Sequence, residues 1–243
     1  MLRIFKNIRK KLLLDKSTGK PESRKGRYIL YALGEMILIV LGILIALQIN
    51  NWNTRRVEKE TEKKIYENIK RQITDDKNEL VKVKDFNTYY STQYEIANRI
   101  ISSKDRSKID TLAYLTMMLS QYSDFHRSGN IYETLVNSGE LKLLRNNEIT
   151  GSLQRLEMTY SNINKLEDIH WEIIINELSP EMKGVVNYAT LQIVKPEKLF
   201  SVELQNILFE SIYLTKGKDS VYNKALNEIN SIINLIDSEL NNQ

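Results

Sequence analysis

Residues 28–49 read YILYALGEMILIVLGILIALQI, an apolar stretch interrupted by a single charged residue, Glu35. As an α-helix, this stretch would be about 33 Å long, which is enough to cross the hydrocarbon core of a bilayer. We therefore predict a transmembrane helix over residues 28–50. Aromatic rings that prefer the headgroup level mark both of its ends, namely Tyr28, Tyr31 and Trp52.

Charge is distributed unevenly around this stretch. Residues 1–27 carry ten Lys and Arg against two acidic residues, a net charge of +8, although the whole chain carries only +4. Because Lys and Arg beside a membrane helix stay on the cytoplasmic side, we predict a cytoplasmic basic segment over residues 1–27 and an exported remainder. In a bacterium, the remainder would lie in the periplasm. Since the positive charge is confined to this tail, we do not expect nucleic acid as a partner.

A cleaved signal peptide is the main alternative to a membrane anchor, because it also begins basic and continues apolar. Here the basic region is unusually long, Glu35 interrupts the apolar run, and residues 45–50 lack small side chains at the paired cleavage positions. We therefore predict an uncleaved signal-anchor and a single-pass protein of the bacterial inner membrane.

The first residues of the chain have the spacing of a short amphipathic helix, with apolar side chains at helical intervals from Leu2 to Leu12. This spacing predicts an interfacial helix over residues 2–14, lying on the inner leaflet. Anionic lipid would then contact its basic side chains, namely Lys6, Arg9, Lys10 and Lys11. The alternative is that these charges only set the topology, and the sequence leaves both interpretations open.

Polar residues and glycines within the predicted membrane helix are candidates for function. Glu35 lies about 10 Å inside it, where an ionised carboxylate is costly unless it is paired, protonated or hydrated. It could contact a partner helix beside Gly34, line a proton or cation path in a ring of copies, or reach back to Arg27 and the lipid headgroups. Gly42 would also permit close helix packing, and Gln48 could bond another helix or lie at the outer interface.

Three motifs of the anchor resemble a known family. They are Tyr31-Ala32-Leu33-Gly34-Glu35, Gly42-Ile43-Leu44-Ile45-Ala46-Leu47 and Asn50-Asn51-Trp52-Asn53. They resemble the anchor of a family of single-pass bacterial inner-membrane proteins that is defined as a domain of unknown function, and residues 132–141 resemble a pattern in its exported part. The resemblance covers residues 1–55 well and the rest loosely. It implies the same topology and no known activity.

Beyond the anchor, residues 51–104 predict one long stalk helix with an apolar seam. Two interleaved series with a seven-residue period run from Tyr66 to Ile101, and nine of their eleven members are apolar or aromatic. Such a period is typical of a coiled coil or a bundle. The two polar members, Asp76 and Asn87, would fix the register or lie at a bundle edge that water reaches. We predict an oligomer seam made of Tyr66, Ile69, Ile73, Leu80, Val83, Asn87, Tyr90 and Tyr94.

Residues 105–243 supply helices that would complete a bundle. We expect helices over residues 107–120, from Asn130 to Gly139, from Asn146 or Asn147 to just before Pro180, and over residues 201–215 and 219–240. Asn130 with Glu133 resembles a capping box at the start of the second of these helices, and Gly139 would end it. Residues 180–200 are ambiguous between strand and irregular structure. The predicted fold is all-α. A single N-terminal transmembrane helix would continue into an elongated extracytoplasmic helical bundle whose first helix is like a coiled coil.

The sequence lacks the signatures of catalysis and of cofactor binding. It contains none of the common nucleotide-binding, zinc-protease, hydrolase or calcium-loop motifs, and it has no Cys. Of its two histidines, we expect His170 in the core and His126 in a loop with a local structural role. We therefore predict no enzyme, no cofactor and no metal site.

These observations together predict a non-enzymatic scaffold or adaptor. It would sit in the lipid bilayer, self-associate into a homo-oligomer and present its periplasmic domain to another envelope protein. The alternative is a homo-oligomeric pore, with Glu35 lining a proton or cation path.

Overall fold

The computed structural model describes residues 24–241, and it describes their side chains from residue 32 onward. The interfacial helix predicted over residues 2–14 lies outside the described residues, and so do its predicted lipid contacts, Lys6, Arg9, Lys10 and Lys11. The side chains of Tyr28 and Tyr31, predicted to anchor the inner interface, also lie outside the described part.

The first helix, α1, covers Arg24–Ser102 without interruption. Neither Pro nor Gly occurs between Gly42 and its end, so nothing in the sequence breaks its backbone hydrogen-bond ladder. The predicted change from membrane helix to stalk at residues 50–51 is therefore not a break in the helix. Within the described residues, α1 is the one helix that is long and apolar enough to cross a membrane, as judged by length and composition alone.

The chain divides into two compact units, Met1–Val57 and Glu58–Gln243. In the first unit, the large apolar side chains between Leu33 and Ile49 are each about half exposed. In the second unit, the end of α1 packs with five further helices. These are α2 (Ile109–Met118), α3 (Ile131–Ser138), α4 (Asn147–Ile173), α5 (Ser179–Met182) and α6 (Val202–Asn241).

Helix ends in the second unit follow local sequence signals, with one exception. Asn146 caps α4 by accepting hydrogen bonds from the backbone N–H groups of Glu148 and Ile149, as expected. Gly139 ends α3 in the left-handed conformation, with φ of 74°. At the start of α3, however, Asn130 makes no side-chain cap bond and instead donates its amide to Glu133. The capping box expected there is therefore wrong.

Two expectations for the C-terminal part are corrected. The helix expected to stop before Pro180 continues from α4 through a π-helical turn, Ile174–Leu178, into α5, whose first turn contains the proline. Residues 183–194 contain only two isolated bridges and no strand. The two helices expected over 201–215 and 219–240 are one helix, α6, because Gly217 alone costs only about 1 kcal/mol in a helix.

The core of the second unit is built on the apolar stripe of α1. Its first half packs against α4 and the C-terminal half of α6, and its second half packs against α2, α5 and the N-terminal half of α6. No residue of the predicted oligomer seam is more than 7% exposed. The seam prediction is therefore wrong as a contact between copies, because the helices of the same chain already cover these side chains: Tyr66, Ile69, Ile73, Leu80, Val83, Asn87, Tyr90 and Tyr94.

Candidate functional site: a buried polar chain beneath residues 119–130

Residues 119–130 connect α2 to α3 without helix or strand. A connection of this kind carries backbone N–H and C=O groups that need partners wherever water cannot reach them. Three of its side chains, Leu119, Ser123 and Phe125, are buried, and the ring of Phe125 lies 5.1 Å from that of Tyr160 in α4. We refer to residues 119–130 as the connecting segment.

Helix α1 holds both ends of the connecting segment through buried polar side chains. The Tyr94 hydroxyl donates to the carbonyl oxygen of Leu119 at 2.7 Å. The Asp76 carboxylate accepts from the N–H of Ser128 at 2.6 Å, from the Ser128 hydroxyl at 2.8 Å and from the Tyr160 hydroxyl at 3.1 Å. Asp76 is only 1% exposed, so it does not lie at a water-accessible edge of the bundle, which corrects that expectation.

Helices α4 and α6 hold the middle of the connecting segment. Glu167 of α4 accepts from the backbone N–H of Phe125 at 3.1 Å. Lys218 of α6 donates to the Ser123 carbonyl at 3.4 Å and to the Ser123 hydroxyl at 2.6 Å. Three helices that are distant in sequence therefore fix one irregular stretch of backbone, which no local signal in that stretch determines.

Six of the buried side chains form one continuous series of hydrogen bonds, which we call the polar chain. In order along the series they are Tyr94, His170, Lys218, Ser123, Tyr222 and Glu167.

The first half of the polar chain is centred on His170. An ammonium group can only donate, so Lys218 donates to His170 Nδ1 across 2.9 Å. His170 Nε2–H then donates to the Tyr94 oxygen, 3.2 Å away, while the Tyr94 hydrogen goes to the Leu119 carbonyl. Burial, followed by the charge of Lys218, lowers the pKa of His170 to about 3, so the ring is neutral at physiological pH. The core position expected for His170 is confirmed.

The second half of the polar chain connects Lys218 to Glu167. The Tyr222 hydroxyl lies 2.9 Å from the Ser123 hydroxyl and donates to Glu167 Oε1 at 2.5 Å. Burial raises the pKa of Glu167 and lowers that of Lys218, and in each case the opposite charge of the other group counteracts the shift. The two groups thus form a buried acid–base pair that Ser123 and Tyr222 bridge.

A serine next to a buried lysine and a histidine has the composition of a nucleophilic site. The Ser123 oxygen, however, has three polar neighbours, at 2.6 Å (Lys218), 2.9 Å (Tyr222) and 3.3 Å (Asn87 Oδ1). Ser123 is only 3% exposed, and these three contacts engage its hydroxyl within the chain. The arrangement is suited to positioning the connecting segment rather than to attack on a substrate.

The polar chain also positions two aromatic side chains at the surface. The ring of Tyr122, in the connecting segment, lies 5.9 Å from Lys218 Nζ and 5.5 Å from the ring of Trp171 in α4. Trp171 is 45% exposed. We call Tyr122 and Trp171 the aromatic pair.

The candidate residues of the anchor are spread along α1. Glu35 and Gln48 are exposed, and within the described part of the chain no other segment lies within 4 Å of a Cβ built on Gly34 or Gly42. The ring of Trp52 is 65% exposed and has the Arg56 guanidinium 5.8 Å from its centroid.

The polar members of the predicted seam have roles within the chain. Asn87 is 1% exposed and donates to the carbonyl of Thr215 in α6 at 2.8 Å.

His126 lies in the exposed part of the connecting segment, 3.5 Å from Asp124. Within residues 24–241, no group of three or more His, Asp or Glu side chains is arranged to hold a metal ion.

Sequence reasoning did not identify the acid–base pair of the polar chain. The signal was present, because Glu167 and His170 are three residues apart on the apolar stripe of α4. Lys218 likewise lies four residues before Tyr222 on the stripe of α6. Dividing α6 into two helices removed Lys218 from that stripe and hid its position.

Comparison with known protein families identifies a match. The sequence model of a family of unknown function (DUF6090) matches residues 35–214. This range begins at Glu35 in the anchor and includes the connecting segment and α4, whereas Lys218 and Tyr222 lie beyond it. No curated protein and no solved structure matches the chain. The match covers more than half of the sequence, and the chain therefore belongs to the DUF6090 family of unknown function.

Proposed function

We propose that this protein is a non-enzymatic, single-pass adaptor of the bacterial inner membrane. Its basic N-terminus lies in the cytoplasm, α1 crosses the bilayer, and the unit Glu58–Gln243 lies in the periplasm, where it binds another envelope protein. The excess of Lys and Arg before the apolar stretch supports this orientation.

The observation that carries the adaptor role is the fixation of the connecting segment by three helices. The buried side chains of Asp76, Glu167 and Lys218 bind backbone groups of this segment. Their effect at the surface is to hold the aromatic pair in place. Partly exposed Tyr and Trp side chains on a fixed backbone are the residues that dominate protein–protein interfaces.

Self-association is assigned to the anchor, because the apolar stripe of α1 is buried within its own chain after residue 64. Glu35 beside Gly34 supports a contact between membrane helices, since the missing side chain of glycine allows close approach and the carboxyl can hydrogen-bond across the interface. Glu35→Gln keeps this hydrogen-bonding capacity and removes the charge. We expect it to leave assembly unchanged, whereas Gly34→Leu should weaken it.

Native mass spectrometry of the full-length protein, tagged at Gln243 and extracted from its own host in mild detergent, tests both parts of the proposal. A mass that exceeds a multiple of the 28.4 kDa chain by that of a second protein supports the adaptor role. Trp171→Ala should then lose the second protein, and Tyr213→Ala, which removes a 78% exposed aromatic on α6, should retain it. A bare monomer would overturn both self-association and the adaptor role.

The orientation can be tested separately, because the chain has no Cys and each introduced one is therefore unique. Tyr213→Cys should react with a membrane-impermeant maleimide in spheroplasts, and Lys10→Cys should react only after the membrane is permeabilised. The reverse pattern would contradict the proposed topology.

A further inference from the structure

A groove lies on the second unit where α2 meets the end of the π-helical turn and the start of α5. Its volume is about 330 Å³, within the range of small-molecule sites, which begins at about 300 Å³. Leu178 closes the π-helical turn and lines the groove. Turns of this kind are rare and often occur at functional sites.

One part of the groove lining is apolar and flexible. Met117 of α2 and Met182 of α5 line it together with Leu178. Unbranched methionine side chains adapt to irregular aliphatic ligands. The hydroxyls of Thr116 and Ser120 are engaged within α2 and its C-terminal turn, because Thr116 donates to Leu112 and Ala113 and Ser120 donates to Met117. This part therefore favours an alkyl chain over a polar ligand.

Lys183 and Tyr188, from the irregular stretch after α5, add a polar part to the lining. The nearest acidic residue in sequence, Glu181, is paired with Lys198 at 3.4 Å, and among the described residues Lys183 has no ion-pair partner. The phenol of Tyr188 is protonated at neutral pH like that of any tyrosine, and partial burial raises its pKa further, so it can donate a hydrogen bond. An ammonium and a phenol at one site complement a carboxylate.

We infer that this groove binds an aliphatic monocarboxylate, with its alkyl chain on Met117, Leu178 and Met182 and its carboxylate on Lys183 and Tyr188. An α-helix of a partner protein, 10–12 Å wide with its side chains, is too large for a groove of this volume. The inference does not rest on the adaptor role, because neither residue of the aromatic pair lines the groove.

The test uses the full chain in lipid nanodiscs, with Ser120→Cys as a unique thiol in the exposed lining. Decanoate should protect this thiol from a maleimide, and decyltrimethylammonium, which has the same chain and the opposite charge, should not. Each methylene added between hexanoate and decanoate should lower the half-protecting concentration about fourfold. Tyr213→Cys on α6 serves as the control and should not be protected by any of these compounds.

Two further variants test the carboxylate contact. Lys183→Gln, in the Ser120→Cys background, should raise the half-protecting concentration of decanoate about tenfold, the effect expected for loss of a charged partner. Lys195→Gln removes a nearby exposed ammonium that does not line the groove and should change nothing. Equal protection by the anionic and cationic amphiphiles, protection of Tyr213→Cys, or no protection at all would overturn the inference.

Discussion

The Asp76 carboxylate offers the sharpest test of how the connecting segment is held. Replacing Asp76 by Ala removes three hydrogen bonds, two from Ser128 and one from the buried Tyr160 hydroxyl. Each group left without its charged acceptor costs about 1–3 kcal/mol, and Ser128 retains some access to water. We therefore expect Asp76→Ala to lower the free energy of unfolding by about 3–5 kcal/mol.

For a unit of this size, such a loss lowers the Tm by roughly 10 °C or more. Thermal unfolding of the full-length protein in nanodiscs, followed by circular dichroism, measures this shift. Hydrogen exchange identifies the region that is destabilised. The exchange rate of backbone amides should rise first in the connecting segment, because Asp76 binds the Ser128 end of that segment.

The chain provides its own control in Asp75, the exposed neighbour of Asp76. Asp75→Ala should change the free energy of unfolding by no more than about 0.5 kcal/mol. Asp76→Asn keeps one acceptor oxygen without the charge, and its free energy of unfolding should lie between those of Asp76→Ala and Asp75→Ala. If Asp76→Ala and Asp75→Ala unfold at the same temperature, Asp76 does not hold the connecting segment and the reasoning fails.

Two other predictions concern backbone conformation and pH. Gly139→Ala should destabilise the protein by about 1 kcal/mol, because Gly139 has φ of 74°. Gly217→Ala within α6, where the space around the added Cβ is open, should stabilise the protein by up to about 1 kcal/mol. Chemical denaturation should therefore give changes in the free energy of unfolding of opposite sign, and changes of the same sign would contradict the assignment. Burial raises the pKa of Glu167 from 4.5 to about 7, so between these pH values the folded chain keeps a proton that the unfolded chain releases. The stability that comes from this proton is present below pH 4.5 and is lost as the pH rises through 7. Relative to Glu167→Gln, the unmodified protein should lose stability as the pH rises from 4.5 to 7.5, and a pH-independent difference would contradict the shift.

The positions of the helices could largely be read from the sequence, because they depend on local signals. The absence of Pro and Gly after Gly42 predicted a long first helix, and Asn146 and Gly139 marked helix ends correctly. The errors in helix boundaries occurred where one local signal is compatible with two structures. Residues 216–218, which include Gly217, lay between two predicted helices, although a single glycine inside a helix that packs on both sides of it is tolerated.

The sequence by itself determined the all-α composition, the single apolar helix and the stripe on α1, since each is a matter of spacing along one helix. Only the tertiary structure decided what covers that stripe. A seven-residue period is the same whether the partner is a second copy or a later part of the same chain, and here α4 and α6 of the same chain cover it. The polar chain was also decided at that level, because its six side chains lie in four segments that meet only after the bundle has formed.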